Sequence, residues 1–363
     1  MTEEVKEEEE KIYPFTFHGT AGEYFRIWFV NITLSILSLG VYSAWAKVRR
    51  LRYFYGNLHL DGHGFEFTGS PWRILTGRII VFAFLILLSF AKQFGQFNAA
   101  WALLYSVLLL ILLLATPWLV TRGRQFMLRN TLYRNIHFSF NGRYGQAYGA
   151  LLWRWILVFL TFGLYLPFYF YHQNKFFINN SAFGRAHFQM HNPKKDFLLH
   201  YGKAILLLVV AYVLMGILLF FWLLLFGKWS LQGVATSNPW FAVSAFAVTA
   251  LLITLYSLIR AAFLSAMFQA AWHNSTLDSR FRLHCTLRTL PLTWIFLTNT
   301  IANFASCGLL IPWSRIRLLR YLTAHICLLV KSDLNHCQAG QLLDLDAVAT
   351  EFGDAFGMDI GFA

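Results

Sequence analysis

SLGVYSAWAKVRRLRYFYGNLHLDGHGFEFTG, residues 38–69, passes from an apolar stretch through a run of cations into a short alternating segment. Its start closes about 25 nearly unbroken apolar residues, enough for ~30 Å of hydrocarbon. Lys47, Arg49, Arg50 and Arg52 then fall where such a helix leaves the apolar zone, as cations do at a cytoplasmic face. Asp61-Gly62 between LHL and FEF is a hairpin signal. The pattern predicts an apolar helix, a basic helical turn and a hairpin at the interface.

The same pattern recurs along the chain, and recurrence at a fixed spacing is stronger than any single motif. NLHLDGHGFEFTG (57–69), NTLYRNIHFSFNG (130–142) and NSAFGRAHFQMHN (180–192) align without a gap. HNSTLDSRFRLHC (273–285) fits from His273, and FTFHG (15–19) matches the last five positions. Thirteen residues before the anchoring residue stand Ala44, Pro117, Pro167 and, counting from His325, Pro312. Trp45, Trp118, Phe168 and Trp313 follow them as repeat anchors, and Arg52, Gln125, Lys175 and Arg320 stand five residues before the anchor. Proline at that step is expected to loosen the helix as it leaves the apolar zone. Three copies carry Gly40, Gly163 or Gly308 inside an apolar segment, with Asn31, Arg154 or Asn299 nine residues earlier.

Composition sets the solvent. The 363 residues are 57% hydrophobic, 18% aromatic and only 13% charged, with a net charge of +13. A soluble fold cannot hide that much apolar side chain. Seven apolar runs stand out, at about 22–46, 73–93, 99–121, 148–171, 200–227, 240–272 and 289–313, many with Trp or Tyr near their ends. The expected fold class is an all-α polytopic membrane protein of about seven apolar helical segments, with internal repeats linked by short interfacial β-hairpin-like segments. If each run crosses once, basic loops fall on both faces. If the three glycine-containing runs dip in and return, nearly all cations share one face, and only Lys92 and Lys228 lie opposite.

Charge is segregated. Residues 1–11 carry net −4 and residues 331–363 net −5, which leaves +22 between them. The expected organisation is an acidic N-terminal tail (1–13), a membrane domain (14–330) and an acidic C-terminal tail (331–363). The acidic start is the opposite of what a cleaved signal peptide needs. The cations flank segments long enough to cross a bilayer, so they read as topology signals and not as a nucleic-acid footprint. Cys285, Cys307, Cys327 and Cys337 show no CxxC spacing and read as free thiols.

FTFHGTAGEYFRIW (15–28), the opening stretch and the ending EFGDAFGMDIGF (351–362) resemble the YjgN family of bacterial inner-membrane proteins. The resemblance runs over most of the chain and implies a polytopic inner-membrane protein. It carries over no catalytic residue.

Chemistry is sparse. His59 with His63, and His187 with His191, have a helical metal-clamp spacing but lie in segments that read as extended, where they would stand about 13 Å apart. His284-Cys285 and His336-Cys337 would form a site only if brought together. Residues 12–330 hold five acids, Glu23, Asp61, Glu66, Asp196 and Asp278, too few for paired-carboxylate catalysis, so an enzyme is not expected and no cofactor or metal is implied. Asn31, Arg154 and Asn299 are the candidate intramembrane polar residues, as substrate contacts or as helix glue. Arg49, Arg50, Arg52, Arg122, Arg124, Lys175, Arg315, Arg317 and Arg320 are candidates for contact with anionic lipid headgroups. Two functions fit. The first is a passive or exchange-type transporter or channel for a small solute or lipid, and the alternative is a non-transporting membrane organiser that binds anionic lipids or protein partners through repeated cytoplasmic hairpins.

Overall fold

The computed structural model describes residues 11–330, except 185, 192–193, 232–238, 274 and 278–280. The expected C-terminal tail, nearly all of the N-terminal one, and His336-Cys337 lie outside the described residues.

Short strands alternate with pairs of helices. Strand β1 (Lys11–Phe17) leads into α1 (Ala21–Leu37) and α2 (Ser43–Asn57), followed by β2 (Leu58–Leu60) and β3 (His63–Phe67). Next come α3 (Pro71–Phe94), α4 (Ala99–Arg129), β4 (Thr131–Tyr133) and β5 (Ile136–Phe140). A third pair consists of α5 (Tyr144–Ala147), a π-helical turn (Tyr148–Trp153) and α6 (Arg154–Leu160), with α7 (Leu166–Asn179) returning to β6 (Ser181–Phe183) and β7 (Ala186–Gln189). Helix α8 (Lys194–Leu231), α9 (Pro239–Met267) and a π-helical turn (Phe268–Trp272) precede β8 (Thr276–Leu277) and β9 (Phe281–Cys285). The last pair, α10 (Thr289–Ala305) and α11 (Ile311–Ala324), ends in β10 (Ile326–Val330).

Among the described residues the ten strands form one closed antiparallel barrel, in which β10 pairs with β1 and so joins the two ends of the chain. The all-α expectation is therefore wrong. The sequence shows each hairpin, but pairing of one hairpin with the next depends on the helices returning each strand beside its neighbour. Adjacent strands are antiparallel all round, so connections alternate between the two rims. The tight turns, at Asp61-Gly62 and Arg134-Asn135 with positive φ at both residues, lie on one rim. All five helical pairs rise from the other.

The count of about seven spans is also corrected. Among the described residues four helices are long and apolar enough to cross a membrane, within Pro71–Phe94, Ala99–Arg129, Tyr201–Leu224 and Val243–Trp272. The runs 22–46, 148–171 and 289–313 are each broken into two helices that return to the barrel. The break has one geometry at all three places. Leu39, Phe162 and Cys307 have φ of 51°, 49° and 50°, and Gly40, Gly163 and Gly308 follow at 90°, 89° and 88°. Two successive left-handed residues reverse the chain, and glycine takes the second at no steric cost. The first residues of each return helix continue the apolar run, so hydropathy reads across the break as one span. Pro167 and Pro312 sit in the first turn of α7 and α11, where they start the return helix instead of loosening it. Pro117 lies inside the continuous α4.

One barrel face is lined by aromatic side chains buried with the C-terminal turns of the helices. Phe65 stacks on Tyr133 (4.6 Å), Phe138 meets Phe183 (5.5 Å), and Tyr55 of α2 stacks on Phe67 (5.9 Å). A recurrent hydrogen bond locks four of the five returning helices to the ring. The backbone N–H groups of His18, Thr68, Asn141 and Thr286 donate to the carbonyls of Asn57, Asn130, Asn180 and His325 at 2.8–2.9 Å. The Asn57 and Asn180 side chains in turn cap their own helices on the Tyr53 and Phe176 carbonyls.

The glycine two residues past a strand's last Phe is a packing requirement. A Cβ at Gly69 would lie 2.5 Å from the Phe67 ring, and one at Gly19 would lie 2.6 Å from that of Phe17. Gly69→Ala is expected to cost about 1–3 kcal/mol through overpacking. Gly56→Ala, in open space on α2, should be neutral or stabilising by ~0.5–1 kcal/mol. Thermal unfolding of the two variants in one detergent checks the contrast, and equal effects would refute it.

Candidate functional site

The polar residues of the broken runs sit at matched places. Asn31 and Asn299 are buried at 7% exposure. Each donates from Nδ2 across its own hairpin, Asn31 to the Ala46 carbonyl (3.4 Å) and Asn299 to that of Ser314 (3.1 Å). Asn299 Oδ1 accepts from Arg317, whose guanidinium lies 5.2 Å over Trp313 and also donates to Thr298 (2.6 Å). Asn31 Oδ1 has no partner among the described residues. These two asparagines tie outgoing helix to return helix, and no hydrogen bond among those described links them to each other or to Arg154.

Arg154 lies apart from them, in an open cleft of about 470 Å³ at the root of the α5–α7 hairpin. Gln146, Arg154, His172, Lys175, Asn179 and Asn180 give the cleft its polar lining, and none of its described lining residues is acidic. The π-helical turn forms one wall, and such turns often mark functional sites. Arg154 folds back along this wall and donates to the Gly149 carbonyl (2.5 Å). Arg154 and His172 each stand nine residues from Gly163, so the two legs carry them about 14 Å from the tip, at one height.

Cations surround the imidazole. Lys175 and Lys194 both place Nζ about 6 Å from the Tyr171 ring. Burial, then the charges of Arg154, Lys194 and Lys175, hold the His172 pKa down at about 4. The cleft therefore presents fixed positive charge beside a neutral imidazole, a combination suited to an anion that brings its own negative charge.

Several lipid-contact candidates serve the protein itself. Arg124 is buried, with its guanidinium 5.7 Å over Phe177 of α7. Arg52 donates to the Phe67 carbonyl (3.3 Å) and Arg320 to that of Gly19 (2.9 Å), fastening α2 to β3 and α11 to the end of β1. Arg315 reaches the Tyr24 hydroxyl (3.0 Å). Arg49 and Arg122 are exposed, and Arg122 lies 5.9 Å over Trp118; Arg50 is half-buried. Trp45 packs edge-on against Trp72 (5.0 Å), and Phe168 stacks on Tyr165 (5.3 Å).

The sequence reading placed Arg154 and Lys175 in separate groups and passed over His172, Gln146 and Asn179. The available signal was spacing, since His172 precedes Lys175 by three residues and so shares its helix face. The hairpin turn puts His59 and His63 on neighbouring paired strands, with His59 opposite Gly64, and not about 13 Å apart along one strand. His63 meets Arg134 (2.8 Å), and no group of three possible metal ligands occurs among the described residues. His59 stands edge-on to His18 (4.7 Å), and His191 is 3.0 Å from the Thr276 hydroxyl. Cys285 is buried, its thiol pushed up to about 11.

The family described as a bacterial protein of unknown function (DUF898) matches residues 12–355. The inner membrane protein YjgN of Escherichia coli (strain K12) is 31% identical over 143 residues, which cover 39% of this chain and 34% of that protein. Its counterpart in Salmonella typhimurium (strain LT2) is 26% identical over 157 residues, 43% of this chain and 38% of that one. The match thus spans little more than a third of the curated relatives' length. No solved structure matches.

With a folded pKa of about 4 against an unfolded value near 6.5, His172 binds fewer protons in the folded state. Its contribution to stability is full above pH 6.5 and is lost as pH falls toward 4. NMR of ring-labelled histidine should show one imidazole still neutral at pH 5.5, and Lys175→Gln should raise its midpoint. A His172 signal titrating at an ordinary value would refute the cationic surroundings.

Proposed function

This chain belongs to the DUF898 family and is a multi-pass protein of the bacterial inner membrane, and from that premise we propose that it is a membrane organiser that holds anionic lipid headgroups. The single observation that carries the reading is the open cleft in which Arg154 and Lys175 flank His172 with no acid among the described lining residues. A lipid phosphate satisfies both cations by charge-assisted hydrogen bonds and leaves the imidazole free to donate.

The rest of the molecule supports the same reading. Every helical pair rises from one rim, so the cations of α2, α4, α7 and α11 encircle the barrel at one level. Lys92, near the far end of α3, and Lys228, near the far end of α8, lie opposite. The positive-inside rule then supports a barrel on the cytoplasmic side. Exposed cations such as Arg49 and Arg122 add about 1 kcal/mol each near an anionic surface. The carbonyl locks of four helical pairs and the glycine turns of three support treating these pairs as copies of one unit. The reading assigns no reaction to the chain.

A solute path is the second reading, favoured by the Oδ1 of Asn31, which has no partner among the described residues. Two variants separate the readings. Arg154→Gln with Lys175→Gln should fold normally and, as solubilised protein in detergent, bind added phosphatidylglycerol roughly tenfold less tightly, a loss of about 1.4 kcal/mol. Asn31→Leu with Asn299→Leu should lower the yield of folded protein and leave lipid binding of the folded fraction intact. Undiminished binding by the first variant would remove the headgroup site. Normal folding of the second would remove the glue role and bring the solute path forward.

A further inference from the structure

We propose that the three short helical hairpins, α1–α2, α5–α7 and α10–α11, enter only the barrel-side leaflet, making the protein a wedge that drives that leaflet convex. The inference rests on how the hairpins end and on where their cations stand, one of which, Arg154, also lines the headgroup cleft.

The tips are apolar and bare. Leu39 is 96% exposed, Phe162 98% and Phe304 84%. Exposed apolar loops in water would be a liability, but here the turn backbone is closed on itself. Gly40, Gly163 and Gly308 each donate to the carbonyl five residues back, on Ser35, Val158 and Asn303, at 2.7–2.8 Å. The hydroxyls of Ser38, Thr161 and Ser306 each accept the N–H four residues on, from Tyr42, Tyr165 and Leu310, at 2.8–3.1 Å. Hydrocarbon requires this internal satisfaction of backbone polar groups. The occupant of these tips is therefore the acyl chains of lipid.

The depth is bounded by charge. Lys47 and Arg315 stand seven residues past Gly40 and Gly308, and Arg154 nine before Gly163. At 1.5 Å per residue these cations lie about 10–14 Å from the tips. With the cations at the headgroups, the tips reach no further than the middle of a ~30 Å core. A full crossing would drag three cations into hydrocarbon, where they are costly. The barrel-side leaflet thus holds four spans and six further helical legs, and the opposite leaflet the four spans alone. With helices about 10 Å across, the excess is roughly 500 Å² of cross-section.

Depth and curvature are both measurable on the full chain. Single thiols at the tips, native Cys307 or Leu39→Cys or Phe162→Cys with the other cysteines replaced by Ser, take a bimane label in detergent before reconstitution. Quenching by lipids with a spin label deep in the acyl chain should exceed quenching by shallow-labelled lipids. After reconstitution, an impermeant maleimide should miss unlabelled tip thiols from both sides, while reaching Gln96→Cys from the far face and Asp61→Cys from the barrel face. Labelling of a tip from either face would overturn the proposal. In giant vesicles loaded from outside, so that the barrel faces out, wild-type protein should be enriched in a pulled tube relative to the parent vesicle. Leu39→Lys with Phe162→Lys and Cys307→Lys should bring that ratio to unity while the four spans keep the protein in the membrane. A wild-type ratio at or below unity would overturn the wedge, and the depth measurement stands even where the triple variant does not fold.

Discussion

Closure of the ring by β1 and β10 is the contact on which the rest depends. Lys11 pairs with Val330 and Pro14 with Cys327, across more than three hundred residues of sequence. Beyond Pro14 the strand changes partner, and Phe15 to Phe17 pair with β2. Proline, which has no N–H to give a ladder, sits where the ladder changes hands. Arg320 on the Gly19 carbonyl and Arg315 on Tyr24 fasten the last hairpin to the first. Because the ring is closed and antiparallel throughout, each strand dictates the direction of the next, and the helices have one rim to leave by. An open sheet of the same strands would expose two apolar edges, a liability that closure removes.

Much of this was legible in the sequence, and the limits have physical reasons. The Asp61-Gly62 turn, the anchoring asparagines and the strand-ending phenylalanines are local signals, and local chemistry fixes each of them. The pairing of β3 with β4 or β7 with β8 is not local, since a long helical pair must first return the chain. The resulting error was one of class, all-α in place of a barrel carrying helices. The span count failed for a different reason. A run such as 22–46 is as apolar as a real span, and only the left-handed pair Leu39-Gly40 inside it distinguishes a reversal from a crossing. Glycine alone does not show that, because Gly77 sits in α3 without turning it.

The candidate site was half legible. Polar residues inside apolar runs stood out by composition, but composition could not tell a clamp from a lining. Asn299 spends its amide on Ser314 and its carbonyl oxygen on Arg317, so its polarity is used up within one hairpin. Arg154, at the matching place, meets a π-helical turn in place of a regular helix and faces a cleft. That extra residue in the turn is invisible to a spacing rule, yet it separates a structural position from one with room for a ligand.

Arg154 has two proposed roles that cannot be tuned apart. On the wedge proposal, Lys47, Arg154 and Arg315 mark how far each hairpin can sink, because a charge seven to nine residues from the tip is held at the headgroups. The same placement holds Arg154 level with His172 and Lys175, and this juxtaposition creates the cleft. Moving the cation nearer the tip would lift the hairpin out of the leaflet and take the guanidinium away from α7. Moving it toward the barrel would let the hairpin sink and leave the cleft with one cation fewer. If both proposals hold, depth of insertion and headgroup binding would be set together by the position of Arg154 along one helix, and the shape imposed on the membrane would be coupled to the lipid held.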